Sequence, residues 1–117
     1  MSADAVEIDV RRMAAQWAFI QRVETIDKTD LTVKMRLHID VECFVQVYAN
    51  THKELTSYTL VLNRARIFGR DSEGGQWHRH PADAPDQHDF SPEGQRPVIL
   101  LEFLAEVQQI LQEKGLL

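Results

Sequence analysis

Leu31-Thr32-Val33-Lys34-Met35-Arg36-Leu37-His38-Ile39-Asp40-Val41 decides the fold. Leu31, Val33, Met35, Leu37, Ile39 and Val41 fall on one side of an extended chain, and Thr32, Lys34, Arg36, His38 and Asp40 fall on the other. Such unbroken period-two alternation marks a strand with one face on a core and one in water. The following segment, 42–50, is apolar on both sides, as a more central strand is. Thr51-His52-Lys53-Glu54 is a polar turn, 55–63 is another β-rich run, and 64–70 continues through a tight connection near Asn63. A turn over 71–75 leads to a short edge strand over 76–80, ended by Pro81, which cannot donate to a ladder. Upstream, Asp27-Lys28-Thr29-Asp30 reads as a turn, and 19–26 is assigned as the hairpin partner that the alternating strand requires. Strands joined by so few turn residues form an antiparallel meander.

Both ends of the chain read as helices. Ser2 is a candidate N-cap, and Val6, Val10, Met13 and Trp17 form the apolar stripe of a helix over 3–18. Leu100, Phe103, Leu104, Val107, Ile110 and Leu111 form a second stripe over 98–114, with Gly115 closing it. Val98 and Ile99 stand where a Ser, Thr or Asp cap is worth about 1 kcal/mol. Residues 81–97 hold all four prolines and read as one long loop. Loops of this length in a small domain usually carry function or disorder. The expected fold is a single α+β domain over 1–117, one antiparallel meander sheet of four to six strands with the N- and C-terminal helices packed on one face.

A chain of 117 residues is one domain by size and needs no disulfide or metal to fold. Its one cysteine, Cys43, lies in an apolar run and reads as a small buried hydrophobe, which fits a reducing compartment. No signal-like pattern or membrane-length apolar run is present, so a cytoplasmic protein without membrane contact is expected. The net charge of −5 argues against broad nucleic-acid affinity. Residues 64–80, however, carry 4 Lys/Arg against 2 acids, whereas 81–117 carry 2 against 7. A local basic site on an acidic body is therefore expected, suited to RNA or to an acidic partner.

That site is expected within Arg64–Pro81, which gathers four arginines, two histidines and a tryptophan. Alternation from Arg64 puts Arg64, Arg66, Phe68 and Arg70 on the open face. Lys34, Arg36 and His38 join them there, with Phe44, Tyr48 and Tyr58 as aromatic neighbours. Cations interleaved with flat rings suit single-stranded RNA, and the alternative is arginines paired with cross-strand carboxylates. His78 and His80 fall on one face of an extended segment, with Trp77 and Arg79 on the other. Three readings fit His-x-His: general base and acid for RNA cleavage, metal ligands with His88 or Asp89 as a third, or surface histidines. Arg70 and Arg79 flank the pair, which favours a phosphate. Gly74-Gly75 reads as turn geometry. No Ser-His-Asp set, phosphate-binding loop or dinucleotide fingerprint occurs, and the leading reading requires no cofactor.

Over Gly69-Arg70-Asp71-Ser72-Glu73-Gly74-Gly75-Gln76-Trp77-His78-Arg79-His80-Pro81, then His88-Asp89-Phe90 and Phe103-Leu104-Ala105-Glu106-Val107, the chain resembles the TumE family, toxins of prokaryotic toxin–antitoxin modules. The resemblance implies a small α+β protein, growth inhibition through RNA, a small DNA-binding antitoxin as partner, and Arg70, Asp71, His78 and His80 as its site residues. The N-terminal helix departs from the family pattern and is expected to offer a homodimer or partner surface. The function expected from residues and resemblance together is a metal-independent endoribonuclease toxin, with His78 and His80 as acid and base. Its substrate contacts are Arg64, Arg66, Phe68, Arg79 and Tyr58. The alternatives are a non-catalytic protein- or RNA-binding module, and a metal-dependent enzyme using His78, His80 and His88.

Overall fold

The computed structural model describes residues 2–117. Six strands lie in sequence order in one sheet, every neighbouring pair antiparallel: β1 (Arg22–Lys28), β2 (Thr32–Asp40), β3 (Cys43–Asn50), β4 (Leu55–Leu62), β5 (Ala65–Glu73) and β6 (Gln76–His80). Helices α1 (Ala3–Ala14) and α2 (Leu100–Glu113) come from the two ends of the chain. The expected α+β meander is the observed fold.

The alternation of β2 sets the layers. Val33, Met35 and Leu37 have no exposed surface, and they pair with Ala49, Val47 and Val45 of β3, which are also buried. Phe103, Leu104, Val107 and Leu111 of α2 and Val10 and Ala14 of α1 close over them in one apolar cluster. Burying a side chain of this size contributes about 1.5–3 kcal/mol, so the helix stripes and the β2 stripe define one another. Ser2 caps α1 by accepting from Ala5 N at 3.1 Å. At α2 no side chain of Ile99 caps the helix; Glu102 instead accepts from Ile99 N at 3.0 Å, which satisfies one end-group. Cys43 is buried at the end of β3. No helix among the described residues is long and apolar enough to cross a membrane.

The structure shifts several boundaries. Helix α1 stops at Ala14, and 15–21 descend through successive turns in which Trp17 and Phe19 pack together, ring centres 5.6 Å apart. Strand β1 runs on through Asp27 and Lys28, expected as turn, because Lys28 donates to Asp4 and Glu7 of α1. Asp71, Ser72 and Glu73 belong to β5, and the turn shrinks to Gly74-Gly75, with φ of 59° and 83°. Two consecutive positive φ values are what a two-residue hairpin matching strand twist demands, and glycine adopts them without steric cost. Asn63 and Arg64 make the same turn between β4 and β5, with φ of 52° and 69°, so Arg64 is a turn residue and not the first member of a strand stripe.

One irregularity reverses an expectation. Leu60 pairs with Phe68 and Val61 with Arg66, leaving Ile67 without a partner. This bulge slips the alternation by one residue and turns everything beyond it to the opposite face. Arg66 stays on the open face. Phe68 and Arg70 are instead buried beneath the helices, Phe68 stacked on Phe103 at 5.3 Å between ring centres. Tyr58, expected on the open face, also points into the core, between Trp77 and Phe103, where burial pushes its phenol up to about 12.

Arg70 is completely buried and donates to Glu106 through Nε and an Nη, both at 2.8 Å, and to the Glu93 carbonyl and carboxylate, both at 2.9 Å. It therefore ties β5 to α2 and to the 81–97 loop. Arg96, and then Arg70, hold the Glu93 carboxyl down at about 2. A carboxyl lowered on folding contributes stability above its unfolded value of 4.5, and that contribution is lost as pH falls toward 2. We expect the unfolding temperature to drop over this window, and to drop less in Glu93→Gln than in the parent when both are scanned by circular dichroism.

Candidate metal centre

The hairpin of β5 and β6 places Asp71 directly opposite His78, and Gly69 opposite His80. Side chains at these positions project from the face the helices leave uncovered. His80 is nearly inaccessible and His78 and Asp71 are half-buried. Their donor atoms converge: His78 Nε2 to His80 Nε2 is 3.2 Å, His80 Nε2 to Asp71 Oδ2 is 3.1 Å, and His78 Nε2 to Asp71 Oδ2 is 3.5 Å.

The supporting bonds determine what these atoms offer. His80 Nδ1 lies 3.1 Å from the carbonyl of Pro85, which only accepts, so Nδ1 carries a proton and a neutral His80 turns a bare lone pair at Nε2 toward the cluster. Ser57 Oγ donates to Asp71 Oδ1 at 2.7 Å, leaving Oδ2 to face the imidazoles. Burial holds His78 below its ordinary value, against the pull of the Asp71 carboxylate, and His80, His88 and Arg66 reinforce the lowering. With its proton on Nδ1, His78 adds a third lone pair at the same point, an arrangement that a cation between the three would satisfy; with its proton on Nε2, His78 donates to His80 Nε2 instead.

The dimensions suit a metal ion. Two ligands at the zinc bond length of about 2.1 Å and the tetrahedral angle stand about 3.4 Å apart. The observed sides are 3.2, 3.1 and 3.5 Å, and a triangle of those sides admits a point about 2.1 Å from every corner. The partners behind the ligands, Pro85 and Ser57, are of the kind that orient ligands in metal sites. The two imidazole nitrogens stand 3.2 Å apart, closer than an acid and a base flanking a phosphate, so that use of the pair requires one ring to turn away.

His88 approaches from the 81–97 loop. Its ring centre lies 5.0 Å from that of His78 and 4.8 Å from that of His80, and the three histidines' ligand nitrogens lie within 4.8 Å of one another. His88 is exposed and close enough that a short side-chain movement would bring one of its nitrogens to the same point. The next residue, Asp89, is pinned to Arg79 by a two-way backbone bridge and by Nε and Nη contacts of 2.9 and 2.6 Å. Gly94 lies so close to Asp89 that a Cβ there would fall 2.1 Å from the Asp89 carbonyl oxygen, so the loop's path depends on a glycine. Beside the donors, Glu73, Gln76, His78, His88 and Phe90 line a cleft of 460 Å³.

The sequence-expected residues therefore divide. Asp71, His78, His80 and His88 come together, and Arg66 joins them: its Cδ and the His80 Cδ2 both lie within 4 Å of where a Gly69 Cβ would be, at 3.7 and 3.6 Å. Arg70, Phe68 and Tyr58 serve the core. Arg79 is on the helix side, paired with Asp89, and Arg64 is exposed in a turn. Among the described residues, Lys34, Arg36, Arg64 and Arg66 take part in no ion pair, so the carboxylate-paired alternative does not describe them. Ser57 was not singled out from sequence, because its contact with Asp71 depends on the β4–β5 register. No family model, curated protein or solved structure matches the chain.

Proposed function

We propose that the protein is a metal-dependent phosphodiesterase acting on RNA, with Asp71, His78 and His80 holding a divalent ion and His88 completing the set. The convergence of two imidazole nitrogens and a carboxylate oxygen on one point, 3.1–3.5 Å apart, carries this reading. An ion held there supplies an acidified water and neutralises charge on a phosphoryl oxygen. With an ion held by Asp71, His78 and His80, its water would bond to phosphorus as the ester P–O bond breaks, and the water's proton would go to the departing alcohol. Arg66, exposed and unpaired beside His80, adds positive charge where the phosphate oxygens lie. In a cell such cleavage would inhibit growth, the role that the TumE resemblance implies, with a small DNA-binding antitoxin restraining it.

Purified chain, stripped with chelator and titrated with zinc, manganese or nickel, is expected to bind one ion per chain and to cleave RNA only when loaded. Asp71→Asn is expected to lose both properties and to relieve growth arrest on expression. Cleavage undiminished in excess chelator, leaving 2′,3′-cyclic phosphate ends, returns the site to metal-free acid–base chemistry; absence of any bound ion together with intact RNA overturns the proposal.

A further inference from the structure

We propose that the open face of the sheet is a track for single-stranded nucleic acid, running from the metal centre on β6 across β5, β4 and β3 to Lys34 and Arg36 on β2. The inference rests on the phosphodiesterase reading for its direction but on separate residues for its contacts. The ladder aligns the track. Lys34, Tyr48, Ser57, Asp71 and His78 are consecutive cross-strand partners, and so are Arg36, Gln46, Thr59, Gly69 and His80. His78 and His80 thus each end a row that begins with a cation on β2.

The chemistry along the rows changes in step with distance. Next to the centre the rows hold small hydroxyl side chains and a glycine, which leave room for a backbone. Further out they hold Tyr48 and, one row over, Phe44, both half-exposed on the uncovered face. Arg36 spreads its guanidinium over Phe44 at 4.6 Å from the ring centre, and its Nε has no hydrogen-bond partner. Adjacent strands lie about 4.8 Å apart, so Tyr48 and Lys34 stand about 14 and about 19 Å from His78, enough for several nucleotides. Rings that stack bases, alternating with cations that meet phosphates, suit a strand whose bases are splayed; a duplex hides its bases from such rings.

The charge balance agrees locally. Lys34, Arg36 and Arg66 face no carboxylate within ion-pair distance. On β1, Glu24 lies opposite Arg36 and Asp27 opposite Lys34, neither in an ion pair with the cation it faces, and Glu24 is engaged by His38 at 2.9 Å and Arg22 at 3.6 Å. An overall charge of −5 means that attraction exists only where these cations cluster, which favours binding along one line and not over the whole surface.

The test uses the full chain in excess chelator, so that no cleavage occurs and the metal reading is not engaged. Fluorescent octamers of RNA and of DNA with one sequence, the RNA octamer annealed to its complement, and a dinucleotide are titrated by anisotropy at several salt concentrations. Both single strands are expected to bind, the duplex at least tenfold more weakly. Tyr48→Ala should weaken octamer binding about tenfold. Lys34→Ala and Arg36→Ala should each reduce the salt slope by about 0.7. The dinucleotide should be indifferent to all three substitutions. Tighter binding of RNA than of DNA adds a 2′-hydroxyl contact to the track, and equal binding supports a track without one. Octamer binding unchanged in the three variants, duplex binding as tight as single-strand binding, or no binding at low salt overturns the proposal whatever the metal experiments show.

Discussion

Replacing His80 with alanine is expected to abolish the stabilisation that zinc gives the parent chain. Saturating a site at one hundred times its dissociation constant stabilises a fold by about 2.7 kcal/mol, so zinc bound at the proposed site is expected to raise the parent's unfolding temperature by several degrees. His80 supplies the donor with the most fixed orientation, its Nδ1 proton held by the Pro85 carbonyl. Removing a ligand costs more affinity than removing a partner behind one, which costs about 10- to 100-fold. Ser57→Ala, which frees Asp71 Oδ1, should fall in that lower range, and His88→Ala should weaken binding without abolishing it, because His88 approaches only from the loop. The comparison is the metal-induced shift within each variant, measured by differential scanning fluorimetry, so a lower baseline from loss of the buried ring does not imitate the result. A zinc-induced shift in His80→Ala equal to the parent's removes the basis for the metal centre.

Arg70→Met is expected to destabilise the protein by about 3 kcal/mol, near the lower end of the range for breaking a buried ion pair, since Glu93 and Glu106 can still reach water. Arg70→Lys should recover little, because one ammonium cannot reproduce the forked contacts to Glu106 together with the two contacts to Glu93. Pairing Arg70→Met with Glu106→Leu should restore part of the loss by removing the stranded charge along with its partner. Arg66→Ala, four residues earlier, should change stability by less than about 0.5 kcal/mol and reduce cleavage. Urea denaturation of the four variants separates these outcomes. If Arg70→Met were as stable as the parent and impaired only in RNA cleavage, Arg70 would belong to the reaction and not to the scaffold.

That contrast between two nearby arginines shows where sequence reasoning succeeds and where it stops. The β2 alternation, the proline-rich loop and the α2 stripe are legible because burial imposes a period on them, and with them come the layers and the uncovered face. Parity carried forward from Arg64 places Phe68 and Arg70 on the wrong side because the bulge at Ile67 adds a residue with no glycine or proline to mark it. Parity carried backward from the Gly74-Gly75 turn gives a different answer: Glu73 opposite Gln76 puts Asp71 opposite His78, where the structure has it. A two-residue turn fixes register over the strands it joins, so it is the sounder origin for such counting. Ser57 and the approach of His88 were beyond either count. The first depends on pairing with a third strand, and the second on a loop held by Asp89, Arg79 and the close passage of Gly94.

The three convergent donors come from Asp71, His78 and His80, ten consecutive residues folded back on one tight turn. Bringing them together requires closing only a short loop, which costs far less chain entropy than gathering ligands from distant segments. The donor set is therefore modular: transplanted as a single hairpin onto the edge of another antiparallel sheet, with a hydroxyl on the neighbouring strand to steady the aspartate, it carries its geometry with it.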